Sequence, residues 1–579
     1  MTNLPRPEYP RPQFFRDAWQ TLNGEWAFQI DHGRSGRDRG QSSPDARFDK
    51  TILIPFCPES KLSGIENKDF MESVWYRRTL TLTQAQLAGR VLLHFGAVDY
   101  ACTVFLNGAE CGTHRGGYSS FQFDITQYVH PGENTLTVHA VDHQRDGTQP
   151  HGKQCDKYHS AGCHYTRTTG IWQTVWLEFV PPVYLESVHL ITDFRTGSIT
   201  FRAVVNQLPK ELFLRTSITF AGKPCASATV PLSAGGTVYS MQVENVKCWD
   251  VLQPNLYDLT YELFDGETVI DAVQSYFGFR TVELRDHAIW LNGRPVFQRL
   301  VLDQGYYPDG IYTAPTDADL KRDIERSIAL GFNGARLHQK VFEERFLYWA
   351  DQLGYLVWGE QASWGLDLTT SEGLVHFLPE WLEVVERDCN HPSIVGWCPF
   401  NETWDQVHRR ADKRVLEAVY LATKAADPTR PVIDTSGNYH ARTDIYDVHD
   451  YEQDVNIFAA RYGAVTRETV YEPYPDRQHY EGQPYFVSEY GGAWWAPGRK
   501  KGWGYGKAPE SEAEFARRYA SLTRALMENP NICALCYTQL YDVEQEQNGL
   551  YTYERAPKFS PGIYEQIRAA NSAPAGNEK

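Results

Sequence analysis

The sequence lacks any apolar run approaching the ~18 residues that a membrane helix needs. Its opening, Met1-Thr2-Asn3-Leu4-Pro5-Arg6-Pro7, has no apolar core of the kind that marks a secretory leader, so a cytoplasmic protein without membrane association is expected. A basic block is also missing. The formal charge is −17, spread along the chain, and such a surface repels nucleic acid and anionic membrane and favours a small, neutral ligand. The eleven cysteines are odd in number and irregularly spaced, which excludes a regular disulfide framework and reads as reduced thiols. In that setting the sequon Asn401-Glu402-Thr403 is not a glycan acceptor.

Aromatic residues are abundant, with 16 tryptophans and 34 tyrosines. They build cores, and they also build platforms for the apolar C–H face of a sugar. At 579 residues the chain is too long for one core, and roughly three or four domains are expected. From Trp19 to about Val180 short β runs alternate with turns, among them Thr103-Val104-Phe105-Leu106 before Asn107-Gly108, a strong hairpin signal. Strands without a convincing helix predict a jelly roll over residues 1–181. A further hundred residues of strand, 182–281, fit an immunoglobulin-like sandwich.

In residues 282–579 the rhythm becomes alternating strand and helix. Thr316 through Leu330 reads as a helix, with Thr316 or Asp317 as cap and Gly331 as stop, and Phe342 to Leu353 reads as a second. Eight strand candidates follow one another: Val296–Asp303, Gly334–His338, Leu356–Glu360, Ile394–Glu402, Val432–Ser436, Tyr446–Tyr451, Tyr485–Glu489 and Ala534–Leu540. That count and length predict a (β/α)8 barrel of the TIM type. The small, polar tail from Ser572 is expected to be disordered.

A parallel barrel carries its chemistry at the C-terminal ends of its strands. Those ends offer Asp303 and Gln304, Arg336 and His338, Glu360, Asn401 and Glu402, His449 with Asp450 and Tyr451, and Glu489. Taken alone, Asn401-Glu402 reads as a helix cap. However, Pro484-Tyr485-Phe486-Val487-Ser488-Glu489 repeats its design three strands later, and paired carboxylates across a ring are what glycoside hydrolysis requires.

Asn-Glu after strand four and a lone Glu after strand seven resemble the retaining glycosidases with barrel folds. Leu22-Asn23-Gly24-Glu25-Trp26, Trp75-Tyr76-Arg77-Arg78, Val104-Phe105-Leu106-Asn107-Gly108 and Thr169-Gly170-Ile171-Trp172-Gln173-Thr174-Val175-Trp176-Leu177 narrow the resemblance to glycoside hydrolase family 2. The likeness runs from about Trp19 to Pro561. It implies Glu402 as acid/base, Glu489 as nucleophile, Asn401 on the substrate 2-hydroxyl, Tyr451 orienting the nucleophile and Arg336 beneath it. His338, His449, Glu360, Asp303, Trp494 and Tyr541 join them as substrate-binding or supporting residues. Burial and repulsion from Glu489 are expected to raise the pKa of Glu402.

The likeness frays around the sugar pocket. His338 stands two residues after Arg336 and Gln339 takes the usual histidine slot. Leu302-Asp303-Gln304 replaces Asn-x-His, and Thr538 stands where tryptophan is usual. Family members that cleave glucuronides carry Asn-x-Lys after strand eight, whereas Val543-Glu544-Gln545-Glu546-Gln547-Asn548 has acids and amides and would repel a uronate. The resemblance therefore implies a neutral sugar, with a galactoside as the default and a galactofuranoside, arabinoside, mannoside or uronide as alternatives. It implies no required cofactor, although some members use a divalent cation. A homo-oligomer is compatible with the sequence. The rival class is a catalytically silent carbohydrate-binding or scaffold protein.

Two further clusters compete for a role. Cys155, His159, Cys163 and His164 could ligate zinc, but structural sites use tighter Cys pairs. Their loop, beginning Gln149-Pro150-His151-Gly152-Lys153-Gln154, is expected to pack on the barrel or border the site. Cys533 and Cys536 have redox spacing but lie on an apolar strand, where core thiols are expected. Trp494-Trp495, just past the strand that ends in Glu489, reads as a sugar platform.

Overall fold

A computed structural model describes residues 4–406, 408–498 and 501–578; Met1 to Asn3 of the opening stretch lie outside the described residues. All eleven cysteines are unpaired. Among the described residues no helix is long and apolar enough to cross a membrane.

The first hundred and eighty residues form two antiparallel sheets, one of six strands and one of four, facing each other as a jelly roll. Alternation sets the faces: along Gly24–Ile30 every second residue is buried. Trp26, Phe28, Tyr76, Leu93, Val104, Val138 and Leu177 fill the space between the sheets. The hairpin Ala101–Leu106/Ala109–Arg115 turns at Asn107-Gly108, both with positive φ, the conformation a two-residue turn of this kind demands. Next come three strands packed on four, with Ile199, Phe201, Leu214, Leu259 and Val273 between them, an immunoglobulin-like sandwich.

The barrel follows. Its strands are Gln298–Asp303, Gly334–Leu337, Leu356–Glu360, Ile394–Cys398, Thr435–Ser436, Tyr446–Asp450, Tyr485–Tyr490 and Ile532–Tyr537. A parallel ladder runs from strand four through three, two and one to eight, seven and six. Strand one pairs with both strand two and strand eight. Strand five is only two residues long and pairs with Phe400–Asn401, the continuation of strand four. All eight expected runs are present. The helix Asp317–Ala329 begins at Thr316 in a capping box with Asp319, and Gly331 takes positive φ after its end. The second helix is Glu344–Leu353, stopped by Gly354 in the left-handed region.

One expectation fails. The tail after Ser572 is folded: Ala575 is buried, and Glu578 pairs with Arg299 at 2.7 Å while accepting from the Phe297 amide. Arg299 sits at the start of strand one, so the tail covers the base of the barrel. The small residues that suggested disorder are what lets the chain tuck against it.

Candidate active site

Strands two, three, four, six and seven each end in a polar side chain, and these converge. Arg336, only 1 % exposed, is the hub. Its Nε donates to Glu360 Oε1 at 2.6 Å, its Nη1 to Ser488 O at 2.7 Å and Glu489 Oε1 at 3.2 Å, and its Nη2 to Asn401 Oδ1 at 3.0 Å. A planar fork that always carries charge suits such a four-way contact. Glu360 Oε2 lies 3.2 Å from His338 Nδ1, which is 3.9 Å from Glu489. Tyr451 donates its hydroxyl to Glu489 Oε2, contacts Thr538 Oγ1 at 3.3 Å and stacks on Tyr505.

His449 lies between the two principal carboxylates. Its Nδ1 is 2.6 Å from Glu402 Oε1, and its Nε2 is 3.4 Å from Glu489 Oε1 and 3.0 Å from Ser436 Oγ. One donor atom each from Glu402, His449 and Glu489 fall within 4.8 Å of one another. Gly437 permits this approach, because a Cβ there would meet His449 Nδ1 at 2.4 Å. Among the described residues this is the only such group of three potential metal donors, and its atoms are those that acid–base chemistry would use.

The electrostatics correct one expectation. Burial pushes the Glu402 carboxyl up, but the hydrogen bond and charge of His449, with Lys153 beyond, outweigh it, so its pKa is lowered. The expectation of a raised value counted burial and Glu489 and left out the imidazole. His449 moves the opposite way: burial disfavours its charge, but Glu489 and Glu402 raise its pKa. Burial and the nearby Lys153 lower the pKa of His338. Glu360 is raised by burial despite Arg336.

Several expected participants stand apart. Asp303 is buried, accepts from the Gly305 amide and is pushed up to about 6 by burial and Asp323; it touches neither catalytic candidate. Tyr541 donates to Asp323 at 2.7 Å, away from the pair, because its hydroxyl is drawn to that buried acid. Trp495 packs against Phe515 and Phe559 in the core, while Trp494 Nε1 reaches Gln547 at 3.4 Å; neither contacts the carboxylate pair. Gln339 is folded under, bonded to Ser363 and the Trp364 amide, and leaves His338 to face Glu489.

The Cys155–His164 loop gathers no metal site among the described residues. Cys155 Sγ donates to His159 O, and His164 leans on Trp364. Instead the loop borders the site, as expected, held by bonds from His151 N and Gly152 N to Trp364 O and from Gln545 to Gly162 O and His164 O. Between loop and barrel lies a cavity of about 540 Å³ lined by His164, Trp364, Leu368, Glu402 and Trp404, among others. Cys533 and Cys536 are buried core thiols.

Lys153 is a participant that the strand-end reasoning missed. This ammonium arrives from the first domain and lies 4.0 Å over the Trp364 ring. Glu544 is turned away to accept from the Thr166 amide, and Glu546 is occupied by Tyr165 and Asn548. Lys153 follows Gly152, whose φ is +58° and whose Cβ would meet Gln339 O at 2.4 Å, so the loop packs closely on the barrel there.

Comparison with known proteins agrees with this order of parts. Residues 19–177 match the glycosyl hydrolases family 2 sugar binding domain, 183–280 the family 2 central model and 282–558 the family 2 TIM barrel domain. A β-galactosidase of Thermoanaerobacterium thermosulfurigenes is 25% identical over 581 residues, 94% of this chain and 75% of that protein. A putative β-glucuronidase of Formosa agariphila is 27% identical over 404 residues, 68% of this chain and 47% of that protein. The chain thus spans less than half the length of some curated relatives. The crystal structure of Ruminococcus gnavus β-glucuronidase has the same fold, with a TM-score of 0.80 at 19% identity, covering 98% of this chain and 99% of that one.

Proposed function

The chain belongs to glycosyl hydrolase family 2, and from that premise we propose that it is a retaining exo-glycosidase that removes a terminal non-reducing sugar by double displacement. The observation that carries this reading is the convergence of Glu402 and Glu489 on one imidazole, with donor atoms within 4.8 Å. Retention needs carboxyls about 5–5.5 Å apart, and inversion needs room for a water at about 6.5–9.5 Å. With oxygens of the two carboxyls within 4.8 Å of each other, the closer, retaining arrangement is the one supported.

Glu489 is the nucleophile. Arg336 and the Tyr451 hydroxyl donate to its two oxygens and fix its orientation. It attacks the anomeric carbon and forms a glycosyl ester as the glycosidic bond breaks. Glu402 passes a proton to the leaving oxygen, drawing on the proton it shares with His449. A water then enters, Glu402 takes its proton back, and the ester is hydrolysed with net retention. Asn401 has its Oδ1 committed to Arg336, which leaves its Nδ2 to donate to the sugar 2-hydroxyl.

Relatives with this architecture bear the names β-galactosidase and β-glucuronidase, so both a neutral and an acidic terminal sugar accord with the family. A panel of aryl β-galactopyranoside, β-galactofuranoside, β-mannoside, β-glucuronide and α-L-arabinofuranoside tests the reading, with product configuration followed by NMR. Release of one sugar with retained configuration is expected. Inversion would overturn the double-displacement mechanism, and no turnover of any substrate would favour the silent carbohydrate-binding rival.

A further inference from the structure

Lys153 is a charged group of the site that double displacement does not use. Its side chain is nearly buried, with the residue 7 % exposed, yet among the described residues its ammonium has no hydrogen-bond or ion-pair partner. Neighbouring cations are all committed. Arg336 makes four bonds, Lys340 donates to Gly305 O and Tyr312 O, and Lys558 pairs with Asp542. Lys153 has only the indole face of Trp364, at 4.0 Å.

A buried charge without a partner is costly, and such groups persist where something compensates them. Burial works against the ammonium of Lys153, but Cys163, Glu546, Glu402 and Glu489 together raise its pKa, so it stays charged. Geometry places it beside the carboxylate pair: the Trp364 ring beneath it donates its indole N–H to Asn401 O at 2.8 Å, next to Glu402. None of these acids is in contact with it. Glu402 is bonded to His449, Glu489 to Arg336 and Tyr451, and Glu546 to Tyr165 and Asn548.

The backbone is built to deliver this residue. Gly152 N and His151 N donate to Trp364 O, Tyr165 N donates to Lys153 O at 2.7 Å, and Gln154 is bonded to Asp99 and the Tyr118 hydroxyl. With both flanks fixed, the lysine is held with its ammonium over the Trp364 ring, its three donors unused by the protein.

We propose that Lys153 is a specificity-determining residue that binds an anionic substituent of the sugar in this subsite, so that the substrate is an acidic glycoside, with a uronide as the fitting class. This inference rests on the glycosidase reading for its substrate, but not for its binding chemistry. A carboxylate beside Lys153 completes a charge-assisted hydrogen bond, the strong kind, and supplies the counter-ion that the site lacks. The sequence argument against uronides fails on this point, because the cation comes from another domain.

The test uses the full chain and Lys153→Met, with Lys153→Arg as a charge-retaining companion. Aryl β-glucuronide and β-galacturonide are compared with the corresponding glucoside and galactoside. The wild type is expected to favour the uronides in kcat/KM. The ratio of uronide to neutral kcat/KM should fall on the order of 10- to 100-fold in Lys153→Met, with partial recovery in Lys153→Arg, as for loss of one hydrogen bond to a charged group. Neutral sugars leading in the wild type, or a ratio unmoved by the substitution, would overturn the inference and leave the glycosidase reading standing. If no glycoside is cleaved, calorimetric binding of D-glucuronate, D-galacturonate and D-galactose decides. Tighter binding of the uronates that depends on Lys153 upholds the anion site while the glycosidase reading fails; equal binding sinks the anion site too.

Discussion

His449 Nδ1 lies 2.6 Å from Glu402 Oε1, so the proposed proton donor shares its proton with an imidazole. The two groups titrate as a pair. The raised pKa of His449 and the lowered pKa of Glu402 mean that the pair keeps one proton well past the ordinary carboxylate range. The alkaline limb of kcat/KM should therefore follow the pair. In His449→Ala it should move towards acid, where Glu402 titrates by itself, and the fitted pKa of that limb checks this. The stability contributions have opposite signs. The share from His449 is full below its unfolded pKa of about 6.5 and is lost as pH rises through its raised folded value. The share from Glu402 is present above about 4.3 and is lost as pH falls through its lowered folded value. Stability contributed by the pair should thus be greatest between those limits, and His449→Ala should flatten the profile measured by urea unfolding.

The carboxylate pair separates by leaving-group dependence. Glu489→Gln should abolish turnover of every aryl glycoside with the fold intact by circular dichroism. Glu402→Ala should lose about 10²- to 10⁴-fold with poor leaving groups, the range for one general acid, and far less with an activated phenol. Azide needs no general base, so it should restore the second step and yield a glycosyl azide of retained configuration. Without azide rescue, Glu402 would lose the acid/base role.

Arg336 is bonded to two carboxylates that are 2 % and 4 % exposed, Glu360 and Glu489. Removing one member of a buried ionic network leaves the others uncompensated and costs about 3–5 kcal/mol. Arg336→Met should destabilise the barrel by that order in denaturant unfolding. The double variant Arg336→Met/Glu360→Gln should recover part of it, because one stranded charge is then gone. If the losses simply added, the two residues would not be energetically coupled.

The contrast between strands and loops explains what the sequence made legible. Apolar runs ending in a polar residue, such as Tyr485–Glu489, dictate both strand and site, because burial and chemistry follow from one alternation. Thr316 and Gly331 marked their helix ends for equally local reasons. His449 was visible as a strand-end residue, but its hold on Glu402 depends on how strand six sits against strand four across a short strand five. Lys153 was visible only as part of a loop expected to pack on the barrel or border the site, since nothing local says which of its side chains reaches the carboxylates. The tail was misread because Ala573 and Glu578 gain their contacts from Arg299 and Phe297, almost three hundred residues away.

The cavity beside Glu402 predicts a leaving-group preference. Trp404 is 50 % exposed, stands edge-on to Tyr439 and Tyr474 and lines that cavity with Trp364 and Leu368. An exposed tryptophan held by two tyrosines is a rigid surface for an aromatic or sugar ring on the departing side. Stacking of this kind contributes about 0.5–1.5 kcal/mol, so Trp404→Ala should raise KM for aryl glycosides roughly 2- to 10-fold. The corresponding glycosyl fluoride has no ring to stack, and its KM should move much less. The Trp404 amide that donates to Glu402 O at 2.8 Å survives the substitution, which keeps the local backbone bond in place. Equal changes in KM for aryl glycoside and fluoride would assign Trp404 to shaping Glu402 rather than to holding the leaving group.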